Sequence, residues 1–309
     1  MSAPLVLSSQ RLVVVTGKGG VGKSMVAAAL ARAAAQAGRR VLAVDLAGNA
    51  LARRLGVRRA GLEPCASPAG PFVAAVEPAE ALGDWVRGFM PVPLLSRRLL
   101  ESTTFQIVAA AAPGLPEYLV LQRVNAWLDE RRLGRVRWQL VVVDAPASGH
   151  SLPLLAAPAT LGALARVGPI ASTLARIDRR LHDPARTAVW IVTRPEELPV
   201  AETIELHREL DGVLGLPVAT PIVNAVPARR FSARDAALLE AAGPPESNPL
   251  LFAAALTIAQ RREAVAQIRL LRRTLRHPPV RLPFLHVEDD ALALDRLTQE
   301  IARATGLAA

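Results

Sequence analysis

Apolar residues along the chain fall into two alternating rhythms. Arg40-Val41-Leu42-Ala43-Val44-Asp45 and Gln139-Leu140-Val141-Val142-Val143-Asp144 place unbroken apolar runs before a terminal aspartate, and Leu12-Val13-Val14-Val15 is a similar β-branched run. Runs of this kind predict short strands buried on both faces. Residues 25–37 are instead alanine-rich with helix propensity throughout, and Gly38 ends that helix. Residues 57–137 fill roughly eighty positions where a short connection is usual. Within them 72–76 reads as one more strand. Leu82, Trp85, Val86 and Phe89, then Leu94, Leu95, Leu99 and Leu100, then Leu119, Leu121, Val124, Trp127 and Leu128 fall at helical spacings. A second helical segment covers 151–182, and further helices cover Pro249–Leu275 and 290–304.

Strands alternating with helical segments predict an α/β fold, a mainly parallel sheet with helices on both faces. No repeat, low-complexity tract or linker divides the chain. It is therefore expected to be a single domain over 1–309, with a helical insert at 57–137 and the second helical segment at 151–182.

Composition narrows the class. With 51% hydrophobic and 21% charged residues in 309, the chain reads as a folded soluble protein. The weakly polar stretch 145–165 is interrupted by Pro146, Gly149, His150, Pro153 and Pro158, so it lacks the apolar run of about 20 residues that a membrane span needs. No integral membrane segment is expected. Residues 1–10 carry no basic region of a signal peptide, which makes the cytoplasm the expected compartment. Cys65 is the single cysteine, which excludes an internal disulfide and a cysteine-built metal site within one chain. The net charge of +10 is spread along the chain, so solvated helix faces account for it and nucleic acid is not an expected partner. Helix Pro249–Leu275 sets Ile258, Val265, Ile268 and Leu271 beside Arg261, Arg262, Arg269, Arg272, Arg273 and Arg276. That is a solvated basic face or, alternatively, a site for a membrane surface or an acidic partner.

The kind of positive charge says more than its amount. Of 37 basic residues only Lys18 and Lys23 are lysines, and both lie in one loop. A compact ammonium on a thin stem enters a nest of backbone amides where a forked guanidinium does not fit. That loop, Gly17-Lys18-Gly19-Gly20-Val21-Gly22-Lys23-Ser24, satisfies G-x-x-x-x-G-K-[ST] and lies between a strand and a helix. Its glycines let successive amides point inward, and the helix N-terminus adds its positive end to hold β- and γ-phosphates. Lys23 is placed to neutralise phosphate charge and Ser24 to ligate Mg²⁺. Asp144, ending an apolar strand, has the Walker B pattern of a Mg²⁺-holding aspartate. Asp45 ends its own strand at the edge where ligands bind in such sheets, so its carboxylate is placed either to act on an attacking water or to cap the next helix. Ala145-Pro146-Ala147-Ser148-Gly149-His150 is a small-residue loop able to rearrange when a γ-phosphate leaves.

The phosphate loop with Lys18, the segment from Asp45 to Leu51, and Asp144 through Leu152 together resemble the arsenite-pump and tail-anchored-protein-targeting ATPase family. Asp183-Pro184-Ala185-Arg186-Thr187-Ala188-Val189 leading to Thr193-Arg194-Pro195-Glu196-Glu197 is similar to that family's strand and helix after its second switch. Pro221-Ile222-Val223-Asn224 and Val280-Arg281-Leu282-Pro283-Phe284-Leu285 resemble its adenine-contacting strand and its last strand with the adenine-side loop. The resemblance implies ATP and Mg²⁺ as cofactors. It implies nucleotide contacts from Gly17, Gly19, Gly20, Val21, Gly22, Lys23, Ser24, Met25, Asn224, Pro283 and Phe284. It implies metal contacts from Ser24 and, through water, from Asp144 and Asp45, with Asp45 orienting the attacking water. It also implies that Lys18 reaches a partner's nucleotide across a dimer, homomeric or formed with a related ATPase. Where the family often has proline and then histidine or serine after the first switch aspartate, this chain has Leu46 and Gly48.

Cys65 alone cannot gather arsenite, hold a zinc shared between subunits, or anchor an iron–sulfur cluster, which removes those jobs. Two classes stay open. One is a nucleotide-gated chaperone, targeting or partner-regulating ATPase whose insert holds a hydrophobic protein client. The other resembles chromosome- and septum-positioning ATPases that bind DNA or membrane in the ATP state. The long insert, Asn224 and the segment from Asp144 to His150 favour the first.

Overall fold

The computed structural model describes residues 7, 9–46, 48–90, 92–164, 167–242, 248–275 and 278–307. Readings that fall on residues 1–6, Ser8, Ala47, Ala165 and Arg276 lie outside them. In chain order the elements are β1 (Leu12–Thr16), α1 (Lys23–Gln36), β2 (Val41–Asp45), α2 (Ala50–Arg54), β3 (Cys65–Ala66), β4 (Phe72–Ala75), α3 (Pro78–Phe89), α4 (Pro93–Glu101), α5 (Thr103–Ala111) and α6 (Leu115–Asp129). Then come the small strands β5 (Arg131–Arg132) and β6 (Arg135–Val136), β7 (Leu140–Asp144), α7 (Ser148–Leu164), α8 (Gly168–Leu181), β8 (Thr187–Thr193) and α9 (Glu197–His207), which runs on as a π-helix over Arg208–Val213. The chain closes with β9 (Ile222–Val226), α10 (Ala233–Ala241), α11 (Pro249–Leu275), β10 (Val280–Pro283) and α12 (Asp290–Thr305).

One eight-stranded sheet runs in the order β10-β9-β8-β1-β7-β2-β4-β3. Its pairings are parallel except for the antiparallel edge strand β3. Strand side chains alternate between faces, so each run of apolar residues feeds two cores. Val13, Val15, Val41, Ala43, Leu140, Val142, Trp190 and Val192 face α1, α2 and α12. Leu12, Val14, Leu42, Val44, Val141, Val143, Val189 and Ile191 face α3, α6, α7 and α8. Burial on both faces is why these strands read as continuous rather than alternating apolar runs.

The interval 57–137 is helical only in part. It opens with β3 and β4, which extend the main sheet beyond β2, and closes with the β5–β6 hairpin, leaving α3 to α6 as the helical portion. Helix α7 begins at Ser148 and runs through Pro153 and Pro158. It therefore starts earlier than the reading of 151–182 placed it, and Ser148-Gly149-His150 form its first turn. Both prolines lie beyond the first turn of α7, so each removes one i→i−4 hydrogen bond from the helix.

Helix α1 lies between the sheet and α12, and Leu30 at its centre is fully buried. Leu30→Ala is expected to lower unfolding free energy by about 2–5 kcal/mol through lost transfer energy and a residual cavity, measured by urea denaturation of the purified protein.

Candidate active site

Strands β1, β7 and β2 lie side by side, and their C-terminal ends meet at one edge of the sheet. The register pairs Val15 with Asp144 and Asp144 with Asp45, so the glycine loop after β1 opens beside two carboxylates. Gly17 has φ of 142°, and a Cβ there would sit 2.1 Å from the Val192 carbonyl oxygen of β8. The start of the loop thus lies against backbone, and only glycine fits. At Gly22, φ is 94° and a Cβ would meet the Asn224 amide nitrogen at 2.3 Å. Gly19 and Gly20 face open space instead. Gly22 provides no side-chain cap to α1, and the helix has no acidic residue in its first turn. The first N–H groups of α1 are left to an external anion.

Lys23 is buried and donates from Nζ to the Lys18 carbonyl at 2.9 Å, folding across its own loop. Burial lowers its pKa, and the Asp144 charge opposes that. Met25, in the first turn of α1, packs against the core. Lys18 points away from the loop and pairs with Glu202 of α9 at 2.6 Å.

Asp144 is fully buried, and among the described residues neither carboxylate oxygen makes a hydrogen bond of regular geometry, although the Ser24 hydroxyl lies close enough to interact with it. Burial pushes its pKa up to about 7; the Ser24 hydroxyl beside it, Lys23 and Arg54 pull it down, while Asp45 pushes it further up. A buried, incompletely compensated carboxylate next to a hydroxyl fits a divalent cation. Among the described residues no group of three or more His, Cys, Asp or Glu side chains could hold a metal by itself. The donors present therefore suit Mg²⁺, which binds through one or two protein ligands with phosphate and water completing its shell. Asp45 is buried too, and its Oδ2 accepts from the backbone N–H groups of Leu51 at 2.7 Å and Ala52 at 3.2 Å. Of the two readings left open for this residue, the helix cap is the one this conformation displays.

The second loop is tied to the first. Ser148 N–H donates to the Gly17 carbonyl at 3.0 Å, and the buried Thr16 hydroxyl donates to Ser151 Oγ at 2.7 Å. On the far side, Asn224 donates from Nδ2 to the Val21 carbonyl at 2.9 Å. Asn224 and Ala225 form a bulge, because Val223 pairs with Arg281 and Val226 with Pro283, and Ala225 takes a φ of 56°. Such a bulge re-aims a side chain at the end of a strand. Beyond it a cleft of about 500 Å³ is lined by Arg194, Pro195, Ala225, Gln260, Phe284 and His286. Phe284 thus borders this cleft, while Pro283 ends β10 without lining it.

Several residues at the site carry no local signal. Glu202 is one acid among several on its helix, Val192 contributes only a carbonyl, Ala225 is not a residue type that announces positive φ, and Arg54 looks like any helix-end arginine. Each is found through a contact with a distant segment.

The sequence matches the CobQ/CobB/MinD/ParA nucleotide binding domain family over residues 12–239. It is 32% identical over 230 residues to the ATPase BagA of Mycobacterium tuberculosis, covering 72% of this chain and 66% of that protein. It is 25% identical over 327 residues to an arsenical pump-driving ATPase of Escherichia coli, covering 93% of this chain and 53% of that protein. A further relative is Protein Rv2184c of Mycobacterium tuberculosis, 28% identical over 255 residues, covering 69% of this chain and 58% of that protein. The chain spans about two thirds of the first relative and about half of the second.

The raised pKa of Asp144 makes stability depend on pH. The folded protein keeps this proton over a window in which the unfolded chain has lost it, so stability falls as pH rises from 3.8 to about 7. Asp144→Asn removes that loss. The nucleotide-free variant is expected to be more stable than wild type above about pH 7, by at most about 4 kcal/mol, with the difference gone below about pH 4. Denaturation midpoints across that range check it, and an unchanged pH profile would contradict the assignment.

Proposed function

Because the chain belongs to the CobQ/CobB/MinD/ParA nucleotide-binding domain family, as a P-loop ATPase among relatives named for that activity, we propose that it binds ATP with Mg²⁺ and works as a dimeric, nucleotide-gated switch for a hydrophobic protein client or partner. When bound, ATP would supply the phosphoryl group and Mg²⁺ positive charge to offset that of the phosphates. Lys23 exchanges its bond to the Lys18 carbonyl for phosphate oxygens. Ser24 and Asp144 would hold the metal, whose charge would offset the buried Asp144 carboxylate. Asp45 orients the attacking water, and its bonds to Leu51 and Ala52 mean that this act is coupled to the first turn of α2. Asn224, Pro283 and Phe284 belong to the adenine side, where the cleft beyond the β9 bulge has room for a base.

The observation that carries the gating is a smaller cleft of about 130 Å³ between the two switch segments and the insert. Leu46 and Pro146 line it from the loops, His150 and Leu154 from α7, and Glu117 and Val120 from α6. A loop that moves on hydrolysis therefore abuts the insert directly. In the insert, Val92 before α4, Leu94 and Leu95 of α4 and Ile107 of α5 are all at least half exposed, a supply of apolar surface for a client. The arsenical part of one relative's name does not transfer, because a metalloid site needs several thiolates and Cys65 is alone. The ParA and MinD members in the family's description keep a positioning role on DNA or membrane as the second reading. No helix among the described residues is long and apolar enough to cross a membrane, and we place the protein in the cytoplasm.

A labelled peptide forming one apolar helix is expected to bind in ATP and to be released in ADP, read by fluorescence anisotropy. Equal affinity in both states would remove the gating. Lys18 tests the dimer. Its ion pair with Glu202 is partly exposed on both sides, a contact of about 1 kcal/mol or less that a closing partner can replace. A lysine delivered in trans to the transferring group, as an arginine finger is, contributes about 10³ or more in rate. Lys18→Ala and Asp45→Asn are each expected to be inactive alone, and hydrolysis is expected to return when they are mixed. That mixture forms dimers with one site holding Asp45 of the first chain and Lys18 of the second. Mixed dimers without recovery would refute action in trans.

A further inference from the structure

The β5–β6 hairpin, between α6 and β7, plays no part in the nucleotide site. Arg132 pairs with Arg135 around a two-residue turn, Leu133-Gly134. Both turn residues have positive φ, 51° and 76°, the type I′ pattern whose first position is favourable for Asn, Asp or Gly and crowded for a residue with a branched side chain. Leucine stands there all the same, and its side chain is 96% exposed, more than any other large apolar residue among those described. Folding does not call for it, since nothing packs on it and the backbone would be easier without it.

Charge surrounds this apex. Arg131, Arg132, Arg135 and Arg137 come from the hairpin itself. Arg40, just before β2, donates to the Arg137 and Val136 carbonyls at 3.0 Å each, which fixes its guanidinium against the hairpin. Arg40, Arg132, Arg135 and Arg137 border one open cleft of about 540 Å³, with Leu133 on its rim and Phe72 and Trp138 behind. Among the described residues no acidic one lines it. The nearby Glu130 is engaged by Arg137 and by Trp138 Nε1. Arg132 and Arg135 make no ion pair among the described residues. The hairpin leads into the N-terminal end of β7, whereas Asp144 ends the same strand, so the hairpin and the phosphate loop occupy opposite edges of the sheet.

We propose that this hairpin docks the protein on an anionic lipid bilayer, with Leu133 entering the interface and the arginines around it holding lipid phosphates. An apolar apex above a ring of arginines is suited to shallow insertion, because the arginine stems lie along the apolar boundary while the guanidinium groups stay with the headgroups. An acidic protein would satisfy the arginines equally well but would not require a fully exposed leucine at the tip of a strained turn. Docking at this edge leaves the nucleotide face clear.

The test is flotation of the full-length protein with phosphatidylcholine vesicles, with and without phosphatidylserine. Binding is expected only with phosphatidylserine, and it is expected to weaken at high salt. Leu133→Asn suits the turn better, so the variant should melt higher than wild type, hydrolyse ATP normally and lose about tenfold in vesicle affinity. Leu133→Gly repeats that loss should the asparagine variant fold poorly. Arg132→Glu with Arg135→Glu should abolish binding. Arg269→Glu with Arg272→Glu on exposed α11, an equal change of net charge, should leave it in place. Undiminished binding of both Leu133 variants would overturn the proposal, as would an equal loss from the α11 pair. So would failure on vesicles accompanied by hairpin-dependent capture on polyglutamate or duplex DNA, which would assign the surface to an acidic protein or a nucleic acid.

Discussion

A buried and incompletely compensated carboxylate organises the C-terminal edge of this sheet. Asp144 ends the strand between β1 and β2, and the parallel neighbours on both sides exclude water from it. An ionised group in that position is costly, so it keeps a proton close to neutrality unless positive charge arrives. Lys23, Ser24 and Arg54 surround it and only partly compensate. That incomplete compensation makes the place fit for a cation. A fully satisfied aspartate would be a structural ion pair with nothing left to offer a metal.

The same edge is also mechanically continuous. Gly17 lies against the Val192 backbone, Asn224 holds the Val21 carbonyl, and Ser148 and Ser151 hold the Gly17 carbonyl and the Thr16 hydroxyl. Leu46 N–H donates to the Asp144 carbonyl at 3.1 Å, linking the loop after β2 to the β7 strand. Loops after β1, β2 and β7 therefore cannot shift independently, and the cleft beneath Leu46 and Pro146 brings α6 into the same set. Polar contacts dominate these links, and they exchange more readily than packed apolar ones. The hydrophobic layers on each face of the sheet supply the rigid frame that holds these loops.

The fold and the phosphate loop were legible because their signals are local. Apolar runs before Asp45 and Asp144, the spacing of Gly17, Gly22, Lys23 and Ser24, and the alanine-rich helix after them all depend on neighbours within one element. Periodicity also placed Pro249–Leu275 correctly. Within 57–137 it found β4 in the run 72–76 but missed β3 and the β5–β6 hairpin, because strands of two residues carry no period and exist only through their pairing. It started the second helical segment too late as well, since Ser148-Gly149-His150 are small or polar residues held in a helical turn by the chain that follows.

By itself, then, the sequence determined the strands that end at Asp45 and Asp144, the helix after the glycine loop, that the sheet is mainly parallel, and that a phosphate-binding loop stands at its edge. The physical reason is that hydrophobic period and glycine spacing act over a few residues. Tertiary structure alone decided what each charged group does at rest. Lys18 meets Glu202 across 184 positions of sequence, Asp45 caps α2 in this conformation, and a bulge at Asn224-Ala225 turns the end of β9 toward the loop. It also left Leu133 standing at the apex of an arginine hairpin. Contacts between distant segments depend on how layers stack and strands register, and no local pattern carries that information.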